Sequence, residues 1–183
     1  MRGRSHIALG QYLLSAYMPG LGTQQRRAFL LGCIQPDRNP ATYLKGSIRF
    51  QWLRGHNYLN ARRFMARISS RLERKHSLNL LDYYTLGKLI HYTADAFTSA
   101  HNAFFPKDLA VHRDYEHRLQ DHFLRYLGHR PPPVLQPCGT AMEVIAGFHR
   151  EYSREAGNVH RDSRFALLAC CCVLALILTP GIP

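Results

Sequence analysis

Apolar residues along this chain recur at intervals of three and four, and no run alternates convincingly with the period of a strand. The spacing predicts a first helix from His6 to about Tyr17, stopped by Met18-Pro19-Gly20. A second is expected from about Gln24 to Gly32, followed by the turn-rich "GCIQPDRNP". A long third helix fits about Ile48 to Lys75, with Phe64, Ile68 and Leu72 on one stripe. Further helices are expected over about Leu80 to Ala100, Leu109 to Leu127, Thr140 to Glu155 and Ser163 to Thr179. Consecutive prolines make "GHRPPPVLQPCG" a loop, because proline cannot continue a helix. The expected fold class is therefore all-α, a multi-helix bundle.

The last run, "FALLACCCVLALILT" over residues 165–179, is apolar on every side. It is shorter than the roughly 20 residues a membrane-spanning helix needs. It is read as a buried helix, with Arg161 and Arg164 before it keeping a membrane anchor as the alternative. A length of 183 residues with 46% apolar content suits one domain, 1–183, with a real core. No internal repeat or low-complexity block divides it.

Charge changes the picture. Lys plus Arg number 24 against 12 Asp plus Glu, a net +12 with His neutral, much of it in pairs such as Arg26-Arg27 and Arg62-Arg63. Such a surplus favours anionic partners: phosphate esters, nucleic acid or lipid headgroups, without choosing among them. The five cysteines have no CxxC spacing and are read as reduced and buried, which fits a cytosolic interior. Gly10-Gln11 interrupts the apolar stretch after the basic start, so no clear signal peptide is read. The expected location is cytoplasmic, with membrane association left open.

Candidate chemistry concentrates in "LIHYTADAFTSAH". His91 and Asp95 are four apart and share a helix face. His112 and Glu116, in "VHRDYEH", repeat the arrangement. An imidazole and a carboxylate at that spacing can close on one ion, and zinc accepts both donor types. One pair is weak, but Asp37 in a loop after the second helix, His56 near the start of the third, His101 at the end of the fourth and His6 in the first add ligands from separate segments. A set spread this widely suits a polynuclear catalytic cluster better than a structural zinc. His76, His117, His122, His129, His149 and His160 lack matched partners and are read as surface or satisfied core; His117 or His122 would replace His112 if the register slipped. Tyr83, Tyr84, Tyr92 and Tyr115 are read as packing residues rather than a quaternary-ammonium cage.

The order His6, Asp37, His56, His91-x-x-x-Asp95, His101, His112-x-x-x-Glu116 resembles the zinc-dependent phospholipase C family of bacteria over residues 5 to 120. The resemblance implies an all-helical phosphodiesterase with Zn2+ as cofactor. One site would use Asp37, His56, His91 and Asp95. A second would use His101, His112 and Glu116, and a third His6 with Asp95 as a bridge. In the family an amino-terminal Trp completes the third site; this chain opens "MRGRSH", so two or three ions remain open. Asp37 is the expected general base, and Arg38 and Arg54 are candidate phosphate clamps. The expected partner is a phospholipid or other phosphate ester, with a membrane surface as a further contact. The alternatives are a single-strand nuclease of the same fold, which the charge would suit, and a non-catalytic, zinc-stabilised binding protein. Oligomeric state is not legible.

Overall fold

The helices form because each has a stripe to bury and, at most starts, a side chain to close its first turn. In the computed structural model, residues 1–44, 56–102, 105–106, 108–155 and 157–179 are described. They contain α1 (Gly3–Tyr17), α2 (Thr23–Arg38), α3 (Tyr58–Glu73), α4 (Leu80–Ala96), α5 (Leu109–Gly128), α6 (Ala141–Tyr152) and α7 (Val159–Leu178), with 3-10 turns at Pro40–Leu44 and Ser99–His101. The fold is all-α and single-domain. Asn79 with Asp82, and Thr140 with Glu143, make reciprocal capping boxes at α4 and α6. Asn57, Asp108 and Asn158 cap α3, α5 and α7 through their side-chain oxygens.

Helix α4 is the hub. From Leu89 to Ala96 every residue is buried, and α1, α2, α3 and α7 all pack against it. Helix α7 lies on α4, α5 and α6 and buries Phe165, Leu167, Val173, Leu174 and Ile177. Among the described residues no helix is long and apolar enough to cross a membrane. No cysteine described is bonded to another; Cys33, Cys170, Cys171 and Cys172 are buried, but Cys138 is exposed on the proline-rich loop, which corrects the uniform burial expected of them.

Three of the boundaries that differ from the sequence expectation bear on a candidate ligand. Helix α2 runs on past Gly32 and through Pro36 to Arg38, so Asp37 sits in a last helical turn and not in a loop. The proline forfeits one internal hydrogen bond. The helix end is closed from outside: Thr42 Oγ1 lies 2.6 Å from the Pro36 carbonyl and 2.7 Å from that of Asn39. Gly32 does not break the helix; it lets α2 touch α4. A Cβ there would lie 2.1 Å from the Tyr84 carbonyl oxygen, and one on Gly87 would lie 2.1 Å from that of Phe29. Helix α3 begins at Tyr58, which leaves His56 just ahead of it; the expected start at Ile48, and Arg54, lie outside the described residues. Helix α4 ends at Ala96, so His101 belongs to a separate 3-10 turn, whose approach is held by Asn102 Nδ2 donating to the carbonyls of Ala96 and Thr98.

Candidate metal centre

The eight candidate side chains come together at one end of the bundle. One oxygen-and-nitrogen group is formed by His6, Asp37, His91 and Asp95, another by His101, His112 and Glu116; within each, the potential ligand atoms all lie within 4.8 Å of one another. His56 joins the first, with Nδ1 at 3.1 Å from Asp95 Oδ2, 3.3 Å from His91 Nε2 and 3.5 Å from Asp37 Oδ1.

Asp95 links the two groups. Its Oδ2 faces His56 and His91, at 3.1 and 3.2 Å. Its Oδ1 faces His6 Nε2 at 3.3 Å and His101 Nε2 at 3.7 Å. Glu116 in turn spans its own group, 3.2 Å from His101 Nε2 and 3.6 Å from His112 Nε2. The α-amine of Met1 also reaches this cluster. It is 2.6 Å from Asp95 Oδ1, 2.8 Å from His101 Nε2 and 3.4 Å from Glu116 Oε1.

The outer hydrogen bonds decide which ring nitrogens face inward. His91 Nδ1 lies 2.8 Å from the Cys33 carbonyl, which can only accept, so Nδ1 carries the proton and Nε2 turns a lone pair into the cluster. Thr42 spends its one hydroxyl hydrogen on a backbone carbonyl and therefore accepts from His56 Nε2 at 3.0 Å, leaving His56 Nδ1 as a lone pair. Both rings thus aim acceptors at the acceptor oxygens of Asp37 and Asp95. His6, stacked on His91 with ring centroids 3.9 Å apart, is buried, and among the described residues neither of its nitrogens makes an aligned hydrogen bond, the 3.3 Å approach of Nε2 to Asp95 included. Lone pairs converging on carboxylates, with outer partners fixing the tautomers, are the donor set a zinc ion fits.

The electrostatics agree. Burial depresses the His6 pKa to about 4, helped by His91 and opposed by Asp95, which keeps the ring neutral and ligand-competent. Burial alone would raise the Asp95 pKa, but His101, the Met1 amine, His91 and His6 hold it well below the usual carboxylate range. Glu116 is likewise held low against its burial by the Met1 amine, His101 and His112. Asp95 and Glu116 are thereby held ionised and His6 neutral near pH 7, the protonation states metal binding requires.

The cluster floors a cavity of about 440 Å³ lined by Arg2, Asn57, His101, Leu109, His112 and Glu116 among others, with Asp37 and His56 on its wall. Asp37 and His112 are its more open candidate ligands, with side chains 24% and 30% exposed. Family membership is decided by a match of the model described as "Zinc dependent phospholipase C" to residues 5–171. The chain belongs to the zinc-dependent phospholipase C family. The match extends past the region in which the sequence resemblance was expected and takes in α6 and most of α7. No curated protein and no solved structure matches the chain. Membership in the zinc-dependent phospholipase C family and the His/Asp cluster together support a zinc-dependent hydrolase with a phosphate-ester substrate.

The other candidates stand apart from the cavity. Arg38 is exposed and lines a neighbouring groove with Arg4, Ile7 and Leu124. His117 pairs with Arg2, whose Nη1 lies 2.7 Å from its Nε2, and His122 lies 3.0 Å from Ser163 Oγ, so neither replaces His112. His149 stacks on Tyr58 at 3.9 Å, and His129 bonds the Arg125 carbonyl. Among the described residues no tyrosine lines the cavity; Tyr92 packs edge-on against His56 and His91, and Tyr115 bonds Asp162. Sequence reasoning missed Arg2 at the cavity wall and the outer partners Thr42 and Cys33. An isolated threonine and a backbone carbonyl leave no motif to find.

Proposed function

We propose that this chain hydrolyses the phosphodiester bond of a phospholipid headgroup, as a phospholipase C, with two or three zinc ions. The observation that carries the reading is the Asp95 carboxylate, whose Oδ2 faces His56 and His91 of the first group while its Oδ1 faces His6 and reaches His101 of the second, under one cavity. The first ion would be held by Asp37, His56, His91 and Asp95, the second by His101, His112 and Glu116, and a third by His6 and Asp95. Bound there, zinc neutralises charge on the phosphate oxygens and lowers the pKa of a bound water. The chain's own residues supply the rest. Asp37, the partly open carboxylate on the cavity wall, accepts the proton of the attacking water at Oδ1 or Oδ2. Arg2 lines the cavity, and the guanidinium N–H groups not turned to His117 are donors for a non-bridging phosphate oxygen. Leu109, 72% exposed beside His112, gives the mouth an apolar lip suited to the glyceride part of a lipid.

The net charge of +12 favours a second substrate class, single-stranded nucleic acid, because phosphate neutralisation drives its binding. The test is zinc analysis of the purified chain followed by turnover on phosphatidylcholine vesicles and on single-stranded DNA. We expect at least two zinc equivalents and release of the phosphorylated headgroup. His91→Ala and Asp95→Ala should each lose metal and turnover together. Digestion of DNA with no lipid turnover would replace the phospholipase reading by the nuclease one. Full zinc loading with neither activity would leave a metal-stabilised binding protein.

A further inference from the structure

Asp162 stands outside the cavity and outside every motif read from the sequence. It lies in the first turn of α7 and is fully buried. Four donors converge on its carboxylate. The Ser99 backbone N–H and the Tyr115 hydroxyl donate to Oδ2 at 2.7 and 2.8 Å. The Ser99 and Tyr152 hydroxyls donate to Oδ1 at 2.8 and 2.7 Å. No cation is among these partners; the adjacent Arg161 guanidinium is turned away to Glu155 and to the Glu151 carbonyl.

Three of the four donors come from the segments that carry one of the two ligand groups; the fourth, the Tyr152 hydroxyl, comes from α6. Ser99 opens the 3-10 turn that ends in His101. Tyr115 is the residue before Glu116 and three after His112, so holding its hydroxyl sets the rotation of α5 about its axis. With Tyr115 turned inward, Glu116 and His112 are turned toward the cavity. The approach is close: a Cβ on Gly157 would meet Ser99 Oγ at 1.6 Å, so the chain entering α7 can lie against the turn only with glycine there. Burial of an ionised group is expensive unless its hydrogen bonds are complete, and here all four are supplied by neutral donors.

We infer that Asp162 is a positioning residue that fixes His101 to His112 and Glu116, and so sets the second zinc site without touching its ions. The inference rests on the metal reading proposed above. Asp162→Asn keeps the shape but puts an NH2 group against two donors. The measurement is zinc affinity by competition with a chromophoric chelator, with the cobalt-substituted absorption spectrum as a second readout. Glu116→Ala and His91→Ala serve as references that remove one ligand group each. In the wild type we expect two resolvable classes of site. In Asp162→Asn the class lost in Glu116→Ala should weaken about tenfold or more, and the class lost in His91→Ala should hold. Should Asp162→Asn fail to fold, two single-hydroxyl deletions carry the test. Tyr115→Phe, on the ligand-bearing α5, should weaken the same class, and Tyr152→Phe, on α6, should not. Equal weakening of both classes, or identical behaviour of the two tyrosine variants, would overturn the inference alone. A chain that binds no zinc in any form would overturn the metal reading and this inference with it.

Discussion

Gly32→Ala tests whether the contact of α2 with α4 is what holds the first ligand group together. The new Cβ would lie 2.1 Å from the Tyr84 carbonyl oxygen and 3.0 Å from the Gly87 Cα, both backbone atoms that no rotamer change can move aside. An ordinary carbon–oxygen contact needs about 3.3 Å, so the two helices must separate by roughly 1.2 Å. Alanine regains about 0.5–1 kcal/mol of helix propensity over glycine, while overpacking a tight interior costs about 1–3 kcal/mol. With two backbone atoms in the way the upper part of that range applies, for a net loss of about 2 kcal/mol. In a chain of this size that lowers Tm by roughly 4–8 °C. The same displacement acts on the site. Cys33 follows Gly32, and its carbonyl is the 2.8 Å partner of His91 Nδ1; a gap opened by about 1.2 Å breaks that bond and releases the ring from its ligand tautomer. Loss of such an outer partner lowers metal affinity by about 10- to 100-fold. Thermal melts of the chelated protein and zinc titrations would measure the two effects separately. An unchanged Tm would refute the packing argument. A lowered Tm with unchanged zinc affinity would refute the coupling from helix contact to ligand.

Zinc removal itself should destabilise the chain. A ligand present at a hundredfold its dissociation constant adds about 2.7 kcal/mol per site, so EDTA should lower Tm by several degrees, and superimposable melts would contradict binding to the folded state. A different pH dependence should belong to His149, whose pKa burial lowers to about 4. Its unfolded value is about 6.5, so its contribution to stability is complete above that pH and is lost as the pH falls toward 4, where the unfolded chain takes up the proton first. In chelated protein, stability should therefore fall more steeply between those values for the wild type than for His149→Phe, and parallel curves would refute the assignment.

Seven helices were legible because each carries an apolar stripe or a capped start, and the errors fall where local rules meet a tertiary demand. Gly32 and Pro36 read as helix breakers from local propensity alone. In the fold, Gly32 admits a neighbouring helix at a distance no side chain permits, and the carbonyls left after Pro36 are met by Thr42, outside the helix. Asp37 is carried into the cluster by the turn that this reading had ended early. The extended α4 was over-read for the opposite reason: small and apolar residues from Ala94 to Ala100 suit a helix, but Asn102 Nδ2 bonds the Ala96 and Thr98 carbonyls and sets a separate turn.

The candidate ligand types were visible because imidazole and carboxylate at four-residue spacing repeat on two helices, and because the order of the eight resembles that of a known family. What sequence could not supply is the direction in which each nitrogen points. That depends on the Cys33 carbonyl, 58 residues from His91, and on the hydroxyl of Thr42, 14 residues from His56. Neither atom belongs to a recognisable pattern, since any residue offers a carbonyl and many offer a hydroxyl. Asp162 follows the same logic one step further out. It is a single buried carboxylate in an apolar helix, and it acquires a role only when folding brings Ser99 and Tyr115 to it from elements far apart in the chain. Residues that bind an ion directly must have particular side chains, and so leave a pattern. Residues that aim those side chains need only one polar atom in the right place, which is why they have to be found in three dimensions.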